Sequence, residues 1–250
     1  METGTSESIY DPQFVRGLFN RMSRSYERMN LVMSFGFAVT WRRQLMRLID
    51  RPGADSAVID LMCGMGETWE PLRWRFPSAA VTALDFSPDM IEHARSKSVQ
   101  RFGGTIAVRC EDVLQSSLPT ETFDVVVCAY GLKTFDAAQS LALGAEVSRI
   151  LKPGGQFAFI EVTQPPNRML RKLYDLYLSI VVPLAGRLLI SDPTEYRMLY
   201  RYVRAYGAGE RSAAGFARGD LTVTRRSHFF GCATSFSGRK VTGGSESPAE

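Results

Sequence analysis

The run Ala57-Val58-Ile59-Asp60-Leu61-Met62-Cys63-Gly64-Met65-Gly66-Glu67 carries an apolar strand straight into a loop with paired glycines and an acid. A short buried strand ending in such a loop marks the α/β folds in which a nucleotide-type cofactor lies across the strand ends. Gly64 and Gly66 remove side chains where the backbone turns and approaches a ligand, and Asp60 is placed to fix the loop or a ligand ammonium. A glycine pair alone is weak evidence. About twenty residues further on, however, Val81-Thr82-Ala83-Leu84 forms a second apolar strand ending in Asp85, the position from which an acid grips ribose hydroxyls. A third strand ends at Glu111-Asp112. Asp60, Asp85 or Asp112 taken singly reads equally well as a helix or loop cap. Acids at successive strand ends favour a ligand.

Trp69 occupies the third glycine position of the dinucleotide fingerprint, which disfavours pyrophosphate recognition. S-adenosylmethionine has ribose, adenine, a sulfonium and an amino-acid end but no phosphate, so it calls for acids rather than a basic cradle. The expected cofactor residues are Asp60, Gly64, Gly66 and Asp85, with Asp112 near the adenine amino group, Val113 beside the ring, and Tyr130 past the fourth strand.

Outward from the loop, strands and helices alternate. Strands are expected at Ala57–Met62, Val81–Leu84, Ile106–Arg109, Phe123–Ala129 and Gln156–Val162. Helices are expected near Trp69–Arg75, at Pro88–Val99 and at Ala137–Leu151, the last closed by Lys152-Pro153-Gly154-Gly155. This order implies a doubly wound, mostly parallel, Rossmann-like sheet covered on both faces. Ahead of it, Phe14, Leu18 and Met22 recur at helical spacing, and a second helix is expected over Thr40–Ile49. Beyond Val162, Tyr- and Leu-rich helices over Asn167–Tyr206 form a candidate lid, and Asp220–Thr224 with His228–Phe236 form a closing antiparallel hairpin. The chain divides into an N-terminal helical lid and substrate region (1–50), an S-adenosylmethionine-binding core (51–165), a helical lid insertion (166–210), C-terminal strands (211–240) and a disordered tail (241–250).

The 250 residues carry a net charge of +4, with arginines gathered at Arg16, Arg21, Arg24, Arg28, Arg42, Arg43 and Arg47. Such a cluster reads as a solvated helical face or as an attraction to anionic headgroups; no basic-aromatic motif points to nucleic acid. The cysteines Cys63, Cys110, Cys128 and Cys232 have neither metal-ligand nor disulfide spacing and read as reduced. The N-terminus lacks a signal-peptide core, and a cytoplasmic protein is expected. Leu176–Ile190 is too short and too broken to span a bilayer, yet it is greasy enough to touch one.

The run Arg149-Ile150-Leu151-Lys152-Pro153-Gly154-Gly155, taken with the cofactor loop, resembles the class I S-adenosylmethionine-dependent methyltransferases. Over nearly the whole chain the resemblance narrows to the UbiE-like C-methyltransferases of ubiquinone and menaquinone biosynthesis. It is carried by Val15-Arg16-Gly17-Leu18-Phe19, Tyr26-Glu27-Arg28-Met29-Asn30, Ser34-Phe35-Gly36, Trp41-Arg42, Gly131-Leu132 and Ser191-Asp192-Pro193-Thr194-Glu195-Tyr196. Two departures stand out: Gly131-Leu132-Lys133-Thr134 where that family carries Gly-Leu-Arg-Asn, and Gly64-Met65-Gly66-Glu67 where it carries Gly-Thr-Gly-Asp. Lys133 keeps only a point charge where the family has a forked guanidinium.

Those departures make the chain most similar to the rhodoquinone-biosynthesis (RquA) branch. That resemblance implies exchange of a ubiquinone ring methoxy group for an amino group, with S-adenosylmethionine as amino donor and a divalent metal such as manganese assisting. The alternatives are ring C-methylation, and a catalytically silent member of a quinone-biosynthesis complex. A quinone methoxy carbon is a vinylogous ester, so a neutral amine held against it adds and expels methanol. Methylation needs an activated quinol carbon in line with the sulfonium methyl and a base to create it. The expected catalytic residues are Tyr26, Glu67, Lys133 and Tyr196, with Tyr174 and Tyr177 as further ring-contacting candidates. Glu67 is a metal ligand or proton acceptor in this reading, and Trp69 displaces the methionine moiety. Packing in the core is the competing reading of Trp69 and of each tyrosine. The expected partners are ubiquinone or a related isoprenoid quinone, the inner face of the cytoplasmic membrane, and a homodimer or biosynthetic complex.

Overall fold

The computed structural model describes residues 9–23, 34–50, 53, 55–184, 194–218 and 220–242, the side chains of 194–197 excepted. The central sheet is built from β1 (Ala57–Leu61), β2 (Ala80–Asp85), β3 (Ile106–Cys110), β4 (Phe123–Ala129), β5 (Leu151–Val162), β6 (Thr224–His228) and β7 (Ala233–Arg239), in the order β3-β2-β1-β4-β5-β7-β6. The first five are parallel; β7 joins β5 antiparallel and β6 closes the edge. Strand order reverses between β1 and β4, and ligands of open α/β sheets lie at such a switch point, beyond the carboxyl ends of the strands.

The continuous apolar character of these strands follows from burial on both faces. In β4, Val125 and Val127 face one core while Val126 and Cys128 face the other. The first core is covered by α2 (Phe37–Met46), α3 (Trp69–Arg75) and α4 (Pro88–Phe102), through Leu45, Met46, Leu72, Ile91 and Ala94. The second lies beneath α5 (Ala137–Ile150) and α8 (Glu210–Ala217). These two helices cross so closely that a Cβ on Gly144 would lie 2.1 Å from the Gly215 carbonyl oxygen.

A third cluster sits above the strand ends. There α1 (Pro12–Met22) sets Val15, Leu18 and Met22 against Leu178, within the π turn Tyr177–Val181 that continues α6 (Arg168–Leu176), against Val182 just after it, and against Met198, Tyr202 and Val203 of α7 (Thr194–Tyr206). Asp11 caps α1 and Asn167 caps α6, each accepting from two backbone N–H groups.

Two sequence expectations need correction. Lys152-Pro153-Gly154-Gly155 belongs to β5 rather than to a loop before it, the register with β4 shifting between Phe123 and Val125 and Gly154 taking φ +76°. The closing hairpin is displaced toward the C-terminus: Phe229-Phe230-Gly231, which have strand-forming composition, make the turn between β6 and β7. Residues 1–8 and 243–250 of the expected flexible ends lie outside the described residues.

Candidate active site

At the end of β1 the chain turns through Met62 (φ +52°), Gly64 (φ +55°) and Gly66 (φ +80°). The Asp85 carboxylate, at the end of β2, braces this turn: it accepts from the Gly64 N–H at 2.9 Å and from the Ser87 N–H at 2.9 Å. Burial outweighs those hydrogen bonds and lifts the Asp85 carboxyl from 3.8 to about 6. Asp112 follows β3, accepts from the Leu114 N–H at 2.9 Å, and starts a short turn containing Val113.

Gly64, Asp85, Asp112, Val113 and Tyr130 converge on one cavity, as the sequence predicts. Its free volume is about 70 Å³, well under the ~300 Å³ at which small-molecule pockets begin. Val15 and Phe19 of α1 line it, as does Met62. Met62 is the residue that sequence reasoning missed. Its signal was the alternating spacing 62, 64, 66, in which the first turn position carries a long side chain instead of a glycine. The adjacent Gly131 accommodates it, since a Cβ there would come 2.6 Å from the Met62 sulfur.

Asp60 and Gly66 were expected at this cavity and lie behind its wall. The space beside Gly66 is filled by Trp69, whose ring would sit 2.5 Å from an added Cβ. Trp69 itself is fully buried and meets Phe102 edge-on at 5.8 Å, so it is a core residue and displaces no ligand. Asp60 is completely buried, and among the described residues neither carboxylate oxygen has a well-formed hydrogen bond, the Trp69 indole offering only a weak one. Burial first, then the neighbouring Glu67, raises its pKa well above the ordinary carboxylate range, against the opposing influence of the Trp69 indole and Arg42. Glu67 folds back over its own loop, its Oε2 accepting from the Met65 N–H at 3.2 Å, and lines neither cavity described here.

A second cavity of about 320 Å³ adjoins the first, with Phe19, Tyr130 and Thr134 common to both. Its wall is almost wholly apolar and aromatic, drawn from α1, α2, α6, the π turn and Phe229. Tyr130 is held at the junction in a left-handed conformation (φ +71°), its hydroxyl donating to the Ala38 carbonyl at 2.9 Å and its ring 5.1 Å from the Arg42 guanidinium. Tyr174 and Tyr177 line the second cavity, and burial holds both hydroxyls above their usual pKa.

Among the described residues of this wall, Lys133 is the one charged side chain. Its Nζ donates to the Tyr130 carbonyl at 2.6 Å and to Glu161 Oε1 at 3.1 Å. Glu161 is completely buried and also accepts from the Lys133 and Val162 N–H groups. Lys133 and Glu161 thus form a buried ion pair. Tyr26 lies outside the described residues, as does the side chain of Tyr196. His228 is saturated by Gln44 and Ser235, each at 2.8 Å.

Residues 6–240 match the ubiE/COQ5 methyltransferase family. The chain belongs to that family. Its relatives include the demethylmenaquinone methyltransferase of Lactiplantibacillus plantarum, 31% identical over 230 residues, covering 90% of this chain and 95% of that protein. The enzyme of the same name from Thermus thermophilus is 32% identical, covering 86% and 96%. The ubiquinone/menaquinone biosynthesis C-methyltransferase UbiE of Teredinibacter turnerae is also 32% identical, covering 82% and 84%. Solved structures share the fold: a putative methyltransferase in complex with the Haloferax volcanii Trm112 activator has a TM-score of 0.61 at 15% identity, covering 89% and 97% of the two chains. Human N-acetylserotonin methyltransferase, solved with SAM, has a TM-score of 0.55 at 19% identity, covering 90% of this chain and 59% of that one.

For this ubiE/COQ5 family member a metal finds no support: among the described residues no group of three His, Cys, Asp or Glu side chains is placed to hold one. Among the described residues no helix is long and apolar enough to cross a membrane.

Proposed function

We propose that the protein is an S-adenosylmethionine-dependent C-methyltransferase acting on the ring of an isoprenoid quinol. The observation that carries this reading is the pair of cavities meeting at Tyr130 and Thr134, one rimmed by strand-end acids and the other apolar. The acid rim of the first suits the ribose and adenine of S-adenosylmethionine, whose full length needs Met62 and α1 to give way. In this reading Asp85 accepts from the ribose hydroxyls and Asp112 from the adenine amino group. Behind the loop, Asp60 is held toward its neutral form by burial and by Glu67, and the sulfonium and ammonium of a bound cofactor would favour its ionisation. When bound, the cofactor supplies an electrophilic methyl group.

The quinol ring occupies the second cavity, where Tyr174 and Tyr177, kept protonated by burial, donate hydrogen bonds to ring oxygens. The Lys133 ammonium, nearer the cavity than its Glu161 partner, favours the ionised quinol, whose oxygen pushes electron density onto the neighbouring ring carbon. Excluding water lets that weak carbon nucleophile compete. The isoprenoid tail leaves through the apolar mouth toward the inner face of the cytoplasmic membrane, where the protein docks peripherally.

Amino exchange on ubiquinone is the second reading, favoured by one observation. Asp85, which lines the first cavity and whose carboxyl burial lifts to about 6, is suited to take the proton that a donor ammonium must lose. The named relatives are two demethylmenaquinone methyltransferases and a ubiquinone/menaquinone biosynthesis C-methyltransferase, and methylation leads. Incubation with methyl-labelled cofactor and a demethylated quinol distinguishes the two: a labelled ring methyl with intact methoxy groups supports methylation, whereas loss of methoxy with gain of nitrogen supports exchange.

A further inference from the structure

A third cavity, of about 400 Å³, opens between α2 and β6 and differs from the other two in being polar. Arg47 and Arg226 line it with Thr40, Gln44, Ser227 and His228, and no carboxylate does so among the described residues. Both arginines are exposed, and neither side chain has an ion-pair or hydrogen-bond partner among the described residues. Two unpaired guanidiniums beside hydroxyl donors form a receptor for a phosphate diester.

The cavity's far wall is Phe229, which also lines the apolar 320 Å³ cavity. Phe229 and Phe230 take φ +42° and +56°, are 50% and 77% exposed, and precede Gly231 at φ +93°. Consecutive bulky residues in the left-handed region are strained, and such strain gathers where a side chain must be presented. Phe35, at φ +48° and 76% exposed, stacks on Tyr177 5.4 Å away at the same mouth. Beside them, Met169, Leu173, Leu176, Ile180 and Leu184 form an exposed stripe at helical spacing along α6 and its continuation. Exposed Arg168 and Lys172 flank this stripe.

The geometry points to an anionic phospholipid as the occupant of the polar cavity. Arg47 and Arg226 hold its phosphate while Phe229 and Phe230 enter the hydrocarbon beside its acyl chains. This rests on the peripheral membrane reading above and names its contact. The arrangement places the quinone mouth against the bilayer at the depth where an isoprenoid tail is found, with arginines at headgroup level and aromatics below.

The test is co-sedimentation of the full-length protein with vesicles of phosphatidylcholine alone and of phosphatidylcholine mixed with phosphatidylglycerol. The wild type binds the anionic vesicles. Arg47→Glu with Arg226→Glu weakens that binding by at least about tenfold, each surface cation contributing on the order of fivefold. Phe230→Ser weakens binding to both vesicle types, and Arg95→Glu with Arg101→Glu, both exposed on α4, serves as the charge-matched control. Binding by the Arg47/Arg226 double variant equal to wild type, or an equal loss in the α4 double variant, overturns the lipid site and leaves peripheral docking standing. Displacement by inorganic phosphate at matched phosphate concentration makes the cavity a soluble-anion site and likewise overturns it. Wild-type protein that binds neither vesicle sinks the lipid site and the docking together. Unchanged melting of the variants confirms that they are folded.

Discussion

Asp60→Asn makes the empty protein more stable while weakening its hold on a cationic cofactor. The carboxylate is fully buried in β1, among the described residues neither oxygen has a well-formed hydrogen bond, and Glu67 and Asp85 both act on it unfavourably. A buried polar group without a partner costs about 1–3 kcal/mol, and more when charged. The isosteric amide removes the charge but leaves its own dipole poorly satisfied, so a net gain of about 2 kcal/mol is expected. For a chain of this size that is about 4–8 °C in melting temperature. The pH dependence follows from linkage. The native pKa lies above the unfolded one, so ionisation of Asp60 costs the native state increasing stability as pH rises through the native pKa. The advantage of the variant is therefore least in acid and greatest at alkaline pH. Calorimetric melting without cofactor from pH 5 to 8.5 checks this. A variant that melts below wild type at alkaline pH, or an advantage that shrinks as pH rises, refutes the account of Asp60 as a charge awaiting a cation.

Cofactor affinity should fall as pH drops through about 6, where Asp85 takes up a proton, and binding near that pH should release protons, seen as buffer-dependent heats in titration calorimetry. Gly131→Ala forces the Met62 side chain into the cofactor cavity and should weaken binding by about 1–3 kcal/mol, with Met62→Ala in the same chain restoring most of it. Lys133→Met leaves Glu161 as an uncompensated buried charge and should cost about 3–5 kcal/mol in denaturant unfolding; adding Glu161→Gln should recover most of that loss. An unrecovered loss would mean that the lysine matters through packing alone.

The sheet was legible because its strands are buried on both faces and punctuated by Gly, Pro and acids. Phe123–Ala129, for example, is read without error from its apolar run between polar neighbours. Asp85, Asp112 and Gly64 were legible because strand ends in this topology necessarily share an edge. Trp69 and Glu67 misled, because spacing along a loop does not reveal which way a side chain turns. The indole turned into the core and the carboxylate turned onto its own backbone. The Lys133–Glu161 pair joins residues 28 apart on adjacent strand ends, a contact that no local pattern encodes. The Phe229-Phe230 turn was hidden by composition: two aromatics read as strand, and only the following Gly231 hints at the left-handed path.

The central claim, that cofactor and quinol meet at Tyr130 for methyl transfer, is tested most directly by isotope tracing. S-adenosylmethionine labelled separately in its methyl carbon and in its amino nitrogen is incubated with the protein and two substrates, a demethylated isoprenoid quinol and ubiquinone. The account predicts the labelled methyl on a ring carbon of the quinol and no labelled nitrogen in either product. Labelled nitrogen on ubiquinone with loss of its methoxy group would contradict it.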